Sequence, residues 1–321
     1  MPFVPGYVHT PGHHCGSTAL RNLLAFHEVE LSEEMAFGLG AGACFYYVTL
    51  EEASPTRWFN GRTARLEENF DELTGATLEL RTFEPGDEDS WTAARSEVDA
   101  GRPVLLLTDL YYLDHYGSSA HFPGHAVVLA GYDDETAHLS DTGFEQLQTT
   151  RLENLDKARH SDHPAYPLAG HMFTVSGEVP PERLREAIPA AIDRAARAMV
   201  EPEVPGFSGL DAVRRLAAEA GSWPEVAEDW QWCARFGYQV IERRGTGGGA
   251  FRSMYSRFLE EAGRPEAALA AGAAAAWTDL AAAFHAASER DAPVPSLWGA
   301  IGEAAGTVAG AEERLWTALL D

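Results

Sequence analysis

A cysteine followed at once by glycine and then by a run with helical spacing has the surroundings of a nucleophile. The segment PGHHCGSTALRNLL, residues 11–24, places Cys15 and Gly16 at that position. A helix start presents unpaired backbone N–H groups and a positive dipole end, which lower a thiol's pKa and supply donors for an oxyanion. Ser17 or Thr18 caps the helix in this reading, while Leu20, Leu23 and Leu24 form the face that packs on a sheet. A thiol nucleophile also needs an imidazole to take its proton and a third group to orient that imidazole. His125 opens an apolar run after Gly124, and Asp141 ends the next run. With a hairpin turn between Gly131 and Glu135, the two fall roughly opposite each other, so Asp141 is placed to hold one ring nitrogen while the other faces Cys15. Each residue alone has an ordinary structural explanation: a cysteine packs as a small hydrophobe, and Asp133 and Asp134 suit a turn. It is the joint pattern that carries the expectation.

The elements that must position these groups are legible as periodicities. Helices are predicted from Ser17 to about His27, from Ser32 to Gly38 and from Trp91 to Ala100. Strands are predicted over Val104–Leu113, His125–Asp133 and Ala137–Asp141, where runs rich in Val, Leu and Tyr are bounded by Gly, Pro and Asp. After about Pro180 the composition shifts to Ala- and Glu-rich segments of helical spacing: Pro181–Met199, Leu210–Ala220, Ala250–Ala262 and Glu266–Arg290. The reading is an α+β chain, with an antiparallel-sheet domain over residues 1–178 followed by a mainly helical domain over 179–321. The glycine run Gly245, Gly247, Gly248, Gly249 lacks the Lys-Ser/Thr ending of a phosphate-binding loop and reads as a loop ahead of a helix.

With 321 residues and 45% hydrophobic content, the chain can bury one large core or two ordinary ones. Cys15, Cys44 and Cys233 form no CxxC pair and cannot all be paired, which favours reduced thiols. No signal peptide and no apolar run of bilayer-spanning length is read from the sequence, so the expectation is a cytoplasmic protein with no membrane partner. A net charge of −25, from 49 acidic and 24 basic residues, argues against nucleic acid and favours a cationic ligand such as a polyamine or aminoglycoside. A zinc site built from His9, His13, His14 and Cys15 has ligands too crowded for the usual spacing, and no metal is expected.

Two resemblances sharpen this reading. Cys15-Gly16, Gly124-His125-Ala126-Val127-Val128 and Ser140-Asp141 resemble papain-like cysteine enzymes of the bacteriocin-leader-peptidase type. More closely, HCGSTALRNLL (14–24) and LSEEMAFGLG (31–40) resemble the N-terminal domain of the butirosin-biosynthesis aminoglycoside acyltransferase family, over roughly residues 9 to 145, and GAFRSMYSRFL (249–259) is similar to the helical domain that often follows it. The resemblance implies a papain-like domain with Cys15 as nucleophile, His125 as base and Asp141 as third member. It implies acyl transfer from the phosphopantetheine thioester of an acyl carrier protein or peptidyl carrier domain, through a Cys15 thioester, to a cationic amine. No cofactor is then bound by the chain itself, since phosphopantetheine arrives on the donor. Papain-like proteases usually carry an oxyanion-donating Gln several residues before the cysteine, and Tyr7–His14 holds none. His9, His14 and the helix-start N–H groups around Gly16 stand in its place, and Tyr112 is among the tyrosines available to wall the cleft. Arg243, Arg244, Arg252 and Arg257 are candidates for gripping the carrier or its phosphate. Two other functions stay open: a hydrolase using the same nucleophile, and a binding module in which Cys15 is inert. The helical domain is left with three roles, namely closing over the cleft, binding the carrier or forming a homodimer.

Overall fold

The computed structural model describes residues 3–76, 78–83, 89–164 and 166–321. In chain order the elements are α1 (Cys15–Phe26), α2 (Glu33–Leu39), β1 (Ala43–Thr49), β2 (Arg57–Arg62), α3 (Leu66–Thr74), β3 (Leu78–Arg81), α4 (Ser90–Asp99), β4 (Val104–Asp109), β5 (Pro123–Tyr132), β6 (Thr136–Ser140), β7 (Gln148–Arg151), α5 (Leu152–Arg159), β8 (Met172–Val175), α6 (Pro181–Val200), α7 (Gly209–Glu219), α8 (Trp223–Val226), α9 (Trp230–Glu242), α10 (Arg252–Glu261), α11 (Ala267–Ser288) and α12 (Pro295–Ala318). The fold is α+β, as its sequence predicts, with antiparallel sheet towards the N-terminus and helices towards the C-terminus. Two compact units are present: Met1–Ala36 with Leu66–Glu186, and Phe37–Arg65 with Ala187–Asp321. The second unit therefore takes in a stretch from the first third of the sequence.

The first unit is built on a six-stranded sheet in the order β3-β8-β4-β5-β6-β7, with every neighbouring pair antiparallel. Every residue of β4 is buried, which explains its uninterrupted apolar run Val104–Leu107: a strand covered on both faces has no polar alternation to show. Leu106, Val127, Leu129, Leu139 and Met172 from the sheet meet Ala94 and Val98 of α4 and Leu155 of α5 in one core, and α1 packs on β5. The predicted strand Val104–Leu113 stops early. Asp109 ends β4, and its carboxylate accepts the N–H of Tyr111 at 3.1 Å, opening a 3₁₀ turn at Leu110–Tyr112. A side chain that satisfies the next backbone donor competes with continuation of the ladder.

The second unit sets the β1–β2 hairpin among helices. Tyr47 N–H donates to Phe207 O at 3.0 Å, and α7 packs on β1 while α9 packs on β2. Phe45, Phe59, Trp277, Trp223 and Phe284 make a continuous aromatic core, with ring centroids 5.1 to 6.3 Å apart. Arg252 is fully buried, so it is not available to grip a phosphate. Its guanidinium binds both oxygens of Glu312 at 2.9 Å and donates to the carbonyls of Cys44, Gly61 and Ala250. Glu312 also accepts the indole N–H groups of Trp277 at 2.7 Å and Trp316 at 2.6 Å. The glycine run serves this packing. At Gly249, where φ is +57°, an added Cβ would lie 2.7 Å from the carbonyl oxygen of Ala274 on α11, a conformation and an approach that favour glycine. By length and composition, α11 is apolar enough to cross a bilayer, which corrects the reading that no run reaches that length; its Trp277, Leu280 and Phe284 are fully buried in the second unit.

Removing one member of a fully buried ion pair leaves the other charge uncompensated, at a cost of about 3–5 kcal/mol. Glu312→Gln is expected to lower unfolding stability by about that amount, read by urea titration of tryptophan fluorescence. A loss below about 1 kcal/mol, typical of exposed pairs, would show that the pair does not hold this unit together.

Candidate functional site

Cys15 is the first residue of α1, and His14, its N-cap, accepts the Ser17 N–H on its ring at 3.3 Å. The approach to the helix is fastened by one buried carboxylate. Glu33, at the start of α2, accepts the backbone N–H groups of His13 (2.9 Å) and His14 (2.7 Å) and the hydroxyls of Ser17 (3.2 Å) and Thr18 (3.0 Å). These bonds hold the chain on both sides of the thiol in fixed register with α2. Gly16 is required sterically: an added Cβ would sit 2.7 Å from the Glu67 carboxylate, 3.0 Å from Leu66 and 3.1 Å from the His14 ring.

His125 lies near the start of β5 and Asp141 immediately follows β6. Their ladder runs Val128↔Ser140, Leu129↔Leu139 and then, past a bulge, Gly131↔His138. The bulge and the position of the turn offset Asp141 from direct opposition to His125 by about one step of two residues, but parity is kept, so both side chains remain on one face. His125 Nε2 is 3.0 Å from Asp141 Oδ1 and 3.1 Å from Oδ2, with both residues buried. The His125 and His14 imidazoles lie close enough to the Cys15 thiol to perturb its ionisation, so Cys15, His125 and Asp141 converge.

The electrostatics follow from this packing. Burial alone would raise the pKa of Cys15, but hydrogen bonds and positive charge from His125 and His14 outweigh it and hold the thiol well below its ordinary value. Burial disfavours the imidazolium of His125, yet the charge and hydrogen bond of Asp141, assisted by Cys15, raise its pKa to about 10. Asp141 is held well below the usual carboxylate range: burial opposes its ionisation, but His125 and His115 stabilise the anion more strongly. These shifts favour the same arrangement, a thiolate beside an imidazolium backed by a carboxylate. Cys44 and Cys233 have pKa values raised by burial and lack such partners.

The other expected site residues fall at different places. His14 touches the thiol. His9 does not face it in any contact seen here: one ring nitrogen pairs with Ser140 Oγ at 2.7 Å and the other with Phe144 O at 2.8 Å, so both are already engaged on the Asp141 side. Tyr112 packs against the core and edge-on to Tyr111 and His121, with centroids 5.0 and 5.7 Å away. The tyrosine that reaches the site is Tyr116 of the same loop, whose hydroxyl donates to Asp141 Oδ1 at 3.2 Å and lies 3.4 Å from His125 Nε2. Burial, followed by the nearby charges of Asp141 and Cys15, pushes its pKa up, keeping it a donor. His115, whose Nε2 is 2.9 Å from Asp141 Oδ2, has no spacing signal in LYYLDHYG. Among the described residues, no three His, Cys, Asp or Glu side chains converge so as to hold a metal ion.

Residues 14–142 match the family described as butirosin biosynthesis protein H, N-terminal, and residues 153–319 match a domain of unknown function, DUF4872. The N-terminal part of the chain is similar to this butirosin biosynthesis protein H domain, and the DUF4872 match takes in more than half of the chain. No individual curated protein matches it. The matched N-terminal region spans Cys15, His125 and Asp141.

A thiolate stabilised by an imidazolium reacts at pH values where an ordinary thiol, with a pKa of about 8.5, is almost wholly protonated. Iodoacetamide should therefore alkylate Cys15 at about pH 6 at nearly its neutral rate, and His125→Ala should slow that reaction at least about tenfold, moving its midpoint towards the ordinary thiol range. Peptide mapping assigns the label. A wild-type rate that titrates like a free cysteine would exclude the ion pair.

Proposed function

We propose that the chain is a cysteine acyltransferase of antibiotic biosynthesis with a papain-like catalytic arrangement, moving an acyl group from a carrier-protein thioester to an amine through a thioester on Cys15. The observation that carries this reading is the thiol at the start of α1 beside a His125 that is itself bound to buried Asp141. Similarity of residues 14–142 to a butirosin biosynthesis protein family supports a biosynthetic role over a degradative one.

In this mechanism the Cys15 thiolate attacks the donor thioester, and the tetrahedral oxyanion is met by N–H groups at the start of α1 and by the His14 side chain. Collapse expels the pantetheine thiolate, which takes a proton from the His125 imidazolium, leaving Cys15 acylated. The amine then attacks the enzyme thioester, gives up its proton to His125 and leaves as an amide, and Cys15 departs as the thiolate. Exchange of one thioester for another is nearly balanced, whereas amide formation is downhill, so the second half-reaction drives the first. Exclusion of water decides between transfer and hydrolysis. The acidic surface implied by the net charge of −25 suits a cationic acceptor. The phosphopantetheine stays on the donor protein, and the reaction is that of a cytoplasmic enzyme meeting a carrier protein.

Intact-protein mass spectrometry of wild type and Cys15→Ala, after exposure to a panel of acyl-pantetheine thioesters, tests the proposal. The expected result is an acyl adduct on wild type alone, discharged on addition of a polyamine or aminoglycoside with formation of the amide. An adduct lost as quickly in buffer would identify a hydrolase, and the absence of any adduct across the panel would remove the acyltransferase reading.

A further inference from the structure

The side chains that satisfy Asp141 come from two places. His125 approaches from β5, whereas His115 and Tyr116 come from the loop joining β4 to β5. This loop is held closed at its base by Asp109, whose fully buried carboxylate accepts the N–H of Tyr111 at 3.1 Å and of Phe122 at 2.9 Å, the hydroxyl of Ser161 at 2.7 Å and His121 Nδ1 at 2.6 Å. Leu110 N–H donates to Phe122 O at 3.3 Å across the same neck. Further along, Asp114 accepts from the Arg151 N–H at 2.8 Å and from the Asn154 amide at 2.8 Å, which fastens the loop to β7 and α5. Compact loops whose ends meet in this way present side chains with little freedom.

At the head of the loop, His115 has 5% side-chain exposure. Its Nε2 is 2.9 Å from Asp141 Oδ2, its Nδ1 is 3.1 Å from Thr150 Oγ1 on β7, and its ring meets Phe144 edge-on at 5.2 Å and Tyr116 at 4.9 Å. A carboxylate offers no proton, so Nε2 carries the hydrogen of this contact, and Nδ1 is free to accept from the Thr150 hydroxyl. The two contacts are satisfied together by the tautomer with its hydrogen on Nε2. The titratable groups that face His115 are Asp141 after β6, Tyr116 on its own loop and His125 beyond the carboxylate; β7 presents the hydroxyl of Thr150.

We propose that His115 is a positioning residue for the Cys15 chemistry: a second imidazole whose Nε2–H occupies Asp141 Oδ2 and so keeps the carboxylate ionised and aligned on His125. The inference rests on the reading of Cys15 as the nucleophile. Donors bound to a buried carboxylate stabilise its charged form. Without the His115 donor, Oδ2 has His125 as its remaining close hydrogen-bond partner, Asp141 takes up a proton at higher pH, and the imidazolium that sustains the Cys15 thiolate loses its counter-charge there. The acid limb of Cys15 reactivity then moves upward.

The amide nitrogen of glutamine can take the place of a histidine Nε2, whereas that of asparagine takes the place of Nδ1. His115→Gln therefore keeps a neutral donor to Asp141, and His115→Asn keeps a polar partner for Thr150 but does not reach the carboxylate. The readout is the pH dependence of iodoacetamide alkylation at Cys15, which requires no knowledge of the substrate, with thermal unfolding measured alongside. His115→Asn is expected to shift the acid midpoint upward by about one to two pH units, the effect of losing a hydrogen bond to a charged group, while His115→Gln stays within about threefold of wild type in alkylation rate. A purely structural role would lower thermal stability and labelling amplitude without moving the midpoint, and would overturn the proposal. So would equal shifts in both variants, because a group that must be charged is not replaced by an amide. If wild-type Cys15 itself titrates as an ordinary thiol, the nucleophile reading fails; if its profile is depressed but unmoved by either variant, that reading stands and the role of His115 falls.

Discussion

Removal of the Asp141 charge from water is the constraint around which the first unit is arranged. A buried carboxylate is tolerated only when its lone pairs are filled, and here the donors come from β5 and from the β4–β5 loop. β4 ends at Asp109, and the loop that follows carries His115 and Tyr116 to Asp141. Had β4 continued, the chain would have had no slack with which to bring His115 and Tyr116 back over the end of β6. The low pKa of Asp141 and the high pKa of His125 are then two descriptions of one arrangement, because each charge is stabilised chiefly by the other.

The same device recurs elsewhere. Glu33 ties the chain before Cys15 to α2, Asp109 closes the loop that carries His115, and Glu312 holds Arg252 and two indoles in the second unit. Each is buried and each accepts several hydrogen bonds. Composition alone suggests that 49 acidic residues make a negative surface, but some of them are internal and work as fastening. The distinction matters for electrostatic arguments from composition: an internal carboxylate with its donors contributes orientation at short range, whereas steering of a cationic ligand depends on the carboxylates left at the surface.

Cys15, Gly16, His125 and Asp141 were legible because their signals are local: a thiol at a helix start, and apolar runs opening and closing on polar residues. The α1, α4, β5 and β6 positions follow from periodicity within a few residues. His115 was not legible, since its role depends on a loop folding back across long sequence separation and no periodic pattern marks it. Glu33 resembles any acidic residue at a helix start, and only its four partners reveal its function. The converse error occurred at Arg252, read as a surface cation although it is fully buried; charge alone does not distinguish a phosphate ligand from a structural ion pair when the paired Glu312 lies sixty residues away. His9 lies near Cys15 in sequence, but its ring is taken up by Ser140 and Phe144 and not by the thiol.

An ion pair in the resting site raises a chemical difficulty for acyl transfer, because an imidazole that already holds its proton cannot accept one from an incoming amine. The contacts resolve it. Part of what keeps His125 protonated is the hydrogen bond and negative charge of the Cys15 thiolate. On the proposed pathway, acylation converts that thiolate to an uncharged thioester, and the proton held by His125 departs with the pantetheine thiol. The imidazole that remains has lost the thiolate's share of its basicity but keeps Asp141, so it is a stronger base than an isolated histidine and is now unprotonated as the amine arrives. The same two side chains thus favour nucleophile formation before acylation and proton removal after it, with the order imposed by whether Cys15 carries a charge. A hydrolase would gain the same advantage for water, which is why the selection of an amine over water must come from what surrounds the thioester and not from Cys15, His125 and Asp141 themselves.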